Sequence, residues 1–413
     1  MRREHTTNIG LPEVDSYYMD WIPISSITEW SVADEVNKPF YLRPYTTNST
    51  ITIKTTNKTP TIFYSFNNST WTTLPALTTT TAQTISMGSN TIIYFKCKSS
   101  AQAFNGVKFD CDTTFDVGGN ILSLVYATNW NKPENEITIE GNFSQMFMDN
   151  KRIRHAERLC LGSTSYGYAF SQNTATSVLP SFTDAAIIYK ASKTCFYAMF
   201  KNSSLESAPL GLGAFRGCGI QSYYEMFYNC NKLRRCSRQV YAYNCQQQSF
   251  AYCFGSCHNV EFLPVGLYCT FGNAGKQMEG FLRLCWRVRY PDLDGSTFVF
   301  SRGDTTYNVP SEALRYMLSL DYSLDKAEIK IAGDSTTGIQ SNGLGSFFEQ
   351  DQNLRVIRYI VSNTSSWMAS ASHAKWVTGV RNGGRFEYSA PGTVSMTTGT
   401  FAIPTGWTVV AIV

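Results

Sequence analysis

The chain has little charge and few histidines. Asp, Glu, Lys and Arg make up 16% of its 413 residues, the net charge is +4, and no basic block is concentrated anywhere, which argues against nucleic acid or an anionic membrane as partner. Its four histidines, His5, His155, His258 and His373, stand in no H-E-x-x-H spacing and beside no nucleophile motif, and no G-x-x-x-x-G-K-[ST] loop occurs. Hydrolytic triads, zinc catalysis and phosphate-loop chemistry therefore lack support. No apolar run approaches the roughly 20 residues that span a bilayer. The start, MRREHTTNIGLPEVDSYYMDW, has no apolar core of the kind a secretory signal needs.

What is present is an apolar fraction of 43%, enough for the cores of two or three domains. Thr, Ser, Asn and Tyr dominate the remainder, a surface chemistry of hydroxyls, amides and rings that suits adhesive or assembled proteins. Ten of the twelve cysteines fall between Cys160 and Cys285. A secreted disulfide framework is one reading, but buried free thiols acting as small apolar residues are favoured in a chain of this length. Cys253, Cys257 and His258 resemble a fragment of a zinc site, with no second pair at finger spacing after them.

Residues 1–38 carry isolated bulky side chains, notably Trp21, Ile22, Ile24, Ile27 and Trp30, without a period of 2 or 3.6. They are expected to form an extended anchoring arm whose aromatic and aliphatic residues either fill pockets on a partner or pack back on their own chain. Residues 39–115 then offer short β-branched or aromatic runs between Asn, Gly and Ser turns, such as STITIKTTN, AQTISMG and TIIYFKCK. This pattern predicts a small β-sandwich. Within it TIFYSFNNSTWTTL reads as a hairpin, with Phe63 and Tyr64 leading into Asn67-Asn68 and Trp71 returning. FDVGGNILSLVY, with a Gly-Gly-Asn turn, reads as the junction into the next region of the chain.

Beyond that junction one phrase recurs. Anchor pairs stand at Met146-Phe147, Ala169-Phe170, Met199-Phe200, Met226-Phe227, Cys253-Phe254, Phe281-Leu282, Met317-Leu318 and Phe347-Phe348, spaced 23, 30, 27, 27, 28, 36 and 30 residues apart. An aliphatic comes after most anchors at short distance: Ile153, Leu205, Leu233, Val260, Val288, Leu324 and Leu354. A unit of this size cannot bury its own apolar face, whereas a stack of them can. The pattern predicts a solenoid over 116–362, mostly β within an α+β class, capped by residues 363–413. Phe147, Phe170, Phe200, Phe227, Phe254, Leu282, Leu318 and Phe348 would form its interior ladder, the anchor pair sitting on a short helical turn and the later aliphatic beginning a strand. STFVFSRGDTTYNVP, in the widest gap, reads as an inserted hairpin or loop on one edge. QVYAYNCQQQSF reads as an exposed connector, and the glycines of GLGAFRG as turn residues.

SYYEMFYNCNKL and CFYAMFKNSSLESAP resemble the BspA-like leucine-rich repeats of surface proteins in gut Bacteroidetes, which read approximately CY-x-x-MF-x-x-C-x-SL-x-x-AP. The flanks YSFNNSTWTTL, FDVGGNILSLVY, SSWMASASHAKWVTGVRNGGRF and FAIPTGWTVV are similar to those such repeats commonly have, so the resemblance spans about residues 41–413. It implies a curved scaffold on the outside of a cell or particle, used for adhesion or recognition. The sequence departs from the family's pattern in lacking an export signal, and in carrying Cys253 for Met and Arg234-Arg235 where Ala-Pro would begin. Phages of gut Bacteroidetes carry similar modules in virion appendages, and virion proteins need no signal.

The expectation is thus a non-enzymatic phage structural protein, a head or tail fibre without cofactor. Its arm would bind capsid or tail proteins and its repeats a glycan or protein of the host surface, several copies assembling together. Tyr223, Tyr241, Tyr243, Tyr268 and Trp286 are the candidate ligand-binding residues, because rings and amides suit a neutral sugar. A bacterial adhesin, a decoration or tail-assembly protein, and a polysaccharide-degrading appendage are the alternatives. The last would require a carboxylate pair, for which Asp292, Asp294, Asp304, Glu349 and Asp351 are the candidates.

Overall fold

A computed structural model of the chain describes residues 35–412 except 36, 57–60, 99–103, 105, 129, 131–136, 140–142, 162–188, 210, 215–216, 238, 262–263, 265, 273–274, 289–296, 302–308, 333–342, 362–374, 390–402 and 405. The arm residues Trp21, Ile22, Ile24, Ile27 and Trp30 lie outside them, as does Phe170. The described residues are mostly β-strand with almost no helix.

The alternation seen in STITIKTTN and TIIYFKCK places one side of Thr50–Thr55 and of Ile93–Cys97 inward. Strands β1 (Phe40–Pro44), β3 (Ile62–Ser65), β4 (Thr72–Thr73), β6 (Ile93–Cys97) and β8 (Phe115–Asn120) lie in one sheet, in the order β8-β1-β6-β3-β4. Strands β2 (Thr50–Thr55), β5 (Gln83–Ser86) and β7 (Val107–Cys111) form a second, ordered β5-β2-β7. Phe40 and Phe95 from the first sheet meet Phe109 of the second at ring distances of 5.3 and 5.1 Å, edge to face, the arrangement that ring quadrupoles favour. The expected hairpin is present: Phe63 pairs with Thr73 and Tyr64 with Thr72. Asn67 Oδ1 accepts the N–H groups of Ser69 and Thr70 and Asn68 takes a left-handed φ of 59°, the turn chemistry asparagine supplies.

Gly118 and Gly119 differ from the expectation of a turn, because they belong to strand β8 and pair with Tyr41 of β1 and with Arg158 and Leu159 of β10 (Arg158–Cys160). A Cβ on Gly118 would stand 2.3 Å from Tyr41 Oη, and one on Gly119, whose φ is +72°, would stand 2.0 Å from the Pro39 carbonyl. Only glycine admits that close approach. Asn120 then caps a short 3₁₀ turn (Ile121–Leu124), its Oδ1 accepting from the Leu122 N–H. The expected boundary at 115/116 falls at the start of β8, which pairs antiparallel with β1 and parallel with β10.

The remaining strands run parallel. β9 (Ile137–Ile139), β11 (Tyr189–Ala191) and β13 (Gly217–Cys218) make a three-stranded sheet. An eight-stranded sheet runs in strict order through β12 (Gly211–Ala214), β14 (Gln239–Cys245), β15 (Gly266–Phe271), β16 (Thr297–Ser301), β17 (Lys326–Ala332), β18 (Val356–Val361), β19 (Arg385–Ser389) and β20 (Thr408–Ala411). Three expectations are corrected here. Thr297–Ser301 is strand β16, paired on both sides, and not an edge insertion. Gln239–Cys245 is strand β14 near the other end of the sheet, not an exposed connector. The glycines of GLGAFRG lie largely in β12 and β13. β19 and β20, within the residues expected to be a cap, continue the same sheet.

Opposite the strands lie the anchor pairs, on chains of overlapping β-turns where a helical turn was expected. In residues 221–230 the N–H groups of Gln221, Tyr223, Glu225, Phe227 and Asn229 donate to the carbonyls of Gln247, Ser249, Ala251, Cys253 and Gly255 at 2.7 to 3.1 Å, while the alternate N–H groups close turns on the residue three before. A helix would spend its N–H groups along its own axis and leave none for the neighbour. This ribbon instead pairs sideways, in register with the strands. It requires a left-handed residue at every fourth position, as at Gln221, Glu225 and Asn229, then at Gln248, Tyr252 and Ser256. Asn suits that conformation, and Asp149, Asn202 and Asn229 link their side chains from one rung to the next.

The lateral bonds run from Phe147 to Met199, Phe200 to Met226, Phe227 to Cys253, Phe254 to Phe281, Leu282 to Met317, Leu318 to Phe347 and Phe348 to Trp376. Each described anchor is buried, as is each later aliphatic from Ile153 to Leu354. Phe147, Phe200, Phe227 and Phe254 stack at 5.4, 5.4 and 4.7 Å with planes within 9°. Phe147 and Phe200 are thus direct neighbours, their rings 5.4 Å apart. Trp376, unrecognised as an anchor, supplies the rung after Phe348. At the other end Phe147 meets Phe40, Phe109 and Phe115, joining the ladder to the sandwich core.

Candidate functional site

Between each turn ribbon and the strand after it the chain rounds a corner, two residues before the buried aliphatic. In successive rungs the corner residue is Asn231, His258, Trp286, Tyr322 and Gln352. The residue just before it, Cys230, Cys257, Cys285, Asp321 or Asp351, turns inward and is buried. Turning the chain this way sends the next side chain out. Trp286 and Tyr322 are 42% and 40% exposed, two of the few large apolar side chains that reach solvent among the described residues.

These corner side chains form a continuous row. The His258 and Trp286 rings lie face to face, 3.9 Å apart and 7° from parallel, and Tyr322 comes next, 6.4 Å from Trp286. Asn259 donates to the Asn231 carbonyl and Asn353 to that of Tyr322, so amides from the neighbouring rung pin the corners. Burial pushes the His258 imidazole below its ordinary value, leaving it neutral at pH 7. Arg287 is exposed beside Trp286. Because His258 and Trp286 spend one face each on the other, a partner meets ring edges and neighbouring amides. The flat platform expected for sugar stacking is therefore narrower than the exposed area suggests.

Of the candidate residues, Trp286 is on this row. Tyr223 is corrected: it is wholly buried, stacked between Phe196 at 5.0 Å and Phe250 at 4.5 Å in a second ring ladder beside the anchors. Tyr241 and Tyr243 lie in β14 and Tyr268 in β15, and Tyr241 and Tyr268 are register partners. His258 and Tyr322 escaped sequence reasoning, although both stand two residues before a marked aliphatic. Tyr45 is a separate exposed ring, 51% exposed, whose hydroxyl donates to Asp116 at 2.8 Å.

Of the acids considered for glycoside cleavage, Asp292, Asp294 and Asp304 lie outside the described residues. Asp351 is wholly buried, facing Asp321 rather than a surface. Cys257 donates its S–H to the Phe227 carbonyl while His258 points out to Trp286, so the two do not converge on a metal. All twelve cysteines are buried, and burial drives up the thiols of Cys195, Cys230, Cys257 and Cys285 among others, Cys230 to about 11. Comparison with protein-family models, curated proteins and solved structures finds no match.

Proposed function

We propose that this chain is a non-enzymatic structural and recognition protein of a bacteriophage virion, a head or tail fibre. On this reading the laterally bonded rungs are a leucine-rich-repeat solenoid of the BspA-like kind, whose degenerate phrase and parallel strand order fit it. The N-terminal arm attaches the chain to capsid or tail proteins, and the rungs face the host cell. The observation that carries the reading is the row His258, Trp286 and Tyr322, in which Trp286 and Tyr322 reach solvent and Trp286 is backed by the half-buried His258 ring, where a surface partner can find a preorganised contact. Supporting the arm's role, its point of entry is tied down: Glu35 is buried and accepts from Tyr41 Oη at 3.0 Å and Lys38 Nζ at 2.9 Å.

The test is quantitative mass spectrometry of purified particles and of host membranes from an infected culture. A fixed copy number in virions supports a structural appendage. Recovery only from bacterial outer membranes overturns the phage reading and leaves a cell-surface adhesin.

A further inference from the structure

A second row runs beneath the exposed rings. At Cys230, Cys257 and Cys285 the thiol donates to the anchor carbonyl of the preceding rung, Phe200, Phe227 and Phe254, at 2.9, 3.0 and 3.2 Å. Each rung is thereby tied to the one before by a neutral donor. In the next two rungs the same position holds Asp321 and Asp351, both wholly buried. One oxygen of each takes up a backbone donor: Cys285 N–H donates to Asp321 Oδ1 at 2.7 Å, and Asp321 N–H to Asp351 Oδ1 at 2.8 Å. The second oxygen of each, Oδ2, is buried with no hydrogen-bond partner.

The titratable groups facing Asp321 are Asp351 and Cys285, Cys285 in turn faces Cys257 and Cys236, and Asp351 faces Asp321. None of them is cationic. Two bare carboxylates in such surroundings would lose their hydration and repel each other. A carboxylic acid, by contrast, keeps Oδ1 as the acceptor for the N–H and carries no charge to desolvate.

We propose that Asp321 and Asp351 stand in the folded chain as neutral carboxylic acids, and that they are positioning residues which hold the backbone under Trp286 and Tyr322. The acceptor Asp321 Oδ1 fixes the residue before Trp286, and Asp351 Oδ1 fixes the residue before Tyr322. Their link to recognition rests on the function proposed above, whereas their protonation does not. Burial, and for Asp321 also the neighbouring Asp351, raises both carboxyls well above the ordinary value of 3.8. Above that value the unfolded chain is ionised while the native one still holds the protons, so the pair's contribution to stability falls as pH rises from about 4.

The experiment compares thermal unfolding of the full chain, native and D321N/D351N, from about pH 4 to pH 9, with calcium or EDTA added in parallel. An amide keeps the acceptor and the donor without titrating. The expected result is that native and variant melt together near pH 4. The variant melts progressively higher than the native chain toward neutral pH, by at least a few degrees, and neither calcium nor EDTA shifts the native curve. Parallel pH curves overturn the proposal, and so does a native chain that calcium stabilises and the variant destabilises, which would mark an ionised, cation-binding pair. If the variant does not fold, the infrared carbonyl band of a protonated carboxylic acid in the native chain at neutral pH decides: present it supports the assignment, absent it overturns it. Should the acids prove neutral while W286A leaves cell binding intact, only their link to recognition falls.

Discussion

Truncating Phe227 to alanine probes the ladder where a ring is stacked on both faces. The ring is wholly buried between Phe200 at 5.4 Å and Phe254 at 4.7 Å, both nearly parallel to it. Removing a core phenylalanine costs about 3–5 kcal/mol, and each ring neighbour adds about 0.5–1.5 kcal/mol beyond area burial. Phe227→Ala should therefore fall at the top of that range. Phe227→Leu keeps most of the volume but loses both ring contacts, so about 1–3 kcal/mol is expected from those pairs. The lateral N–H bond from Phe227 to Cys253 survives either change, so the loss reads side-chain packing alone. Where each unit contacts only its neighbours, a weak central junction also divides cooperativity. Urea unfolding tracked by far-UV circular dichroism should show a lower midpoint for Phe227→Ala and a shallower or two-step transition. A loss below about 1 kcal/mol, or Phe227→Leu indistinguishable from the native chain, would refute the stacking argument.

Other perturbations reach different parts of the molecule. Trp286→Ala removes a half-exposed ring, so stability should change by about 1 kcal/mol or less while retention on host cells in a pull-down falls sharply; unchanged retention removes Trp286 from the recognition surface. Gly119→Ala places a Cβ against the Pro39 carbonyl at a φ of +72°, and a destabilisation of about 2 kcal/mol or more is expected in thermal melts, with a change under about 0.5 kcal/mol counting against the close approach. The twelve buried thiols should resist Ellman's reagent at mildly alkaline pH in the native chain and all react once urea unfolds it. Rapid native labelling of several thiols would contradict their burial.

Much of the architecture was legible because it is written in one dimension. Phe200, Phe227 and Phe254 recur at nearly even spacing and their rings do stack, and the alternation in STITIKTTN or TIIYFKCK comes from the two-residue period of a strand. The readings that failed share a cause. STFVFS was set apart because the interval around it is long, although strand pairing ignores the length of the loop that precedes it. The helical turn expected at the anchors was a local guess. The ribbon found there is stable only because a neighbouring ribbon accepts its hydrogen bonds, a partner that local propensity does not register.

The candidate site divides in the same way. Trp286 could be picked out as a ring near a unit's edge, but nothing in the order of residues distinguishes it from Tyr223, which proves to be a buried member of the second ring ladder. By itself the sequence determined that the chain is mostly β and that its apolar marks recur, because periodicity and side-chain volume are local properties. Only the tertiary structure decided that Trp286 and Tyr322 share one exposed row backed by His258 while Asp321 and Asp351 lie buried below it. Those are residues from different rungs, and what sets each one's exposure and charge is the rung stacked beside it rather than its neighbours along the chain.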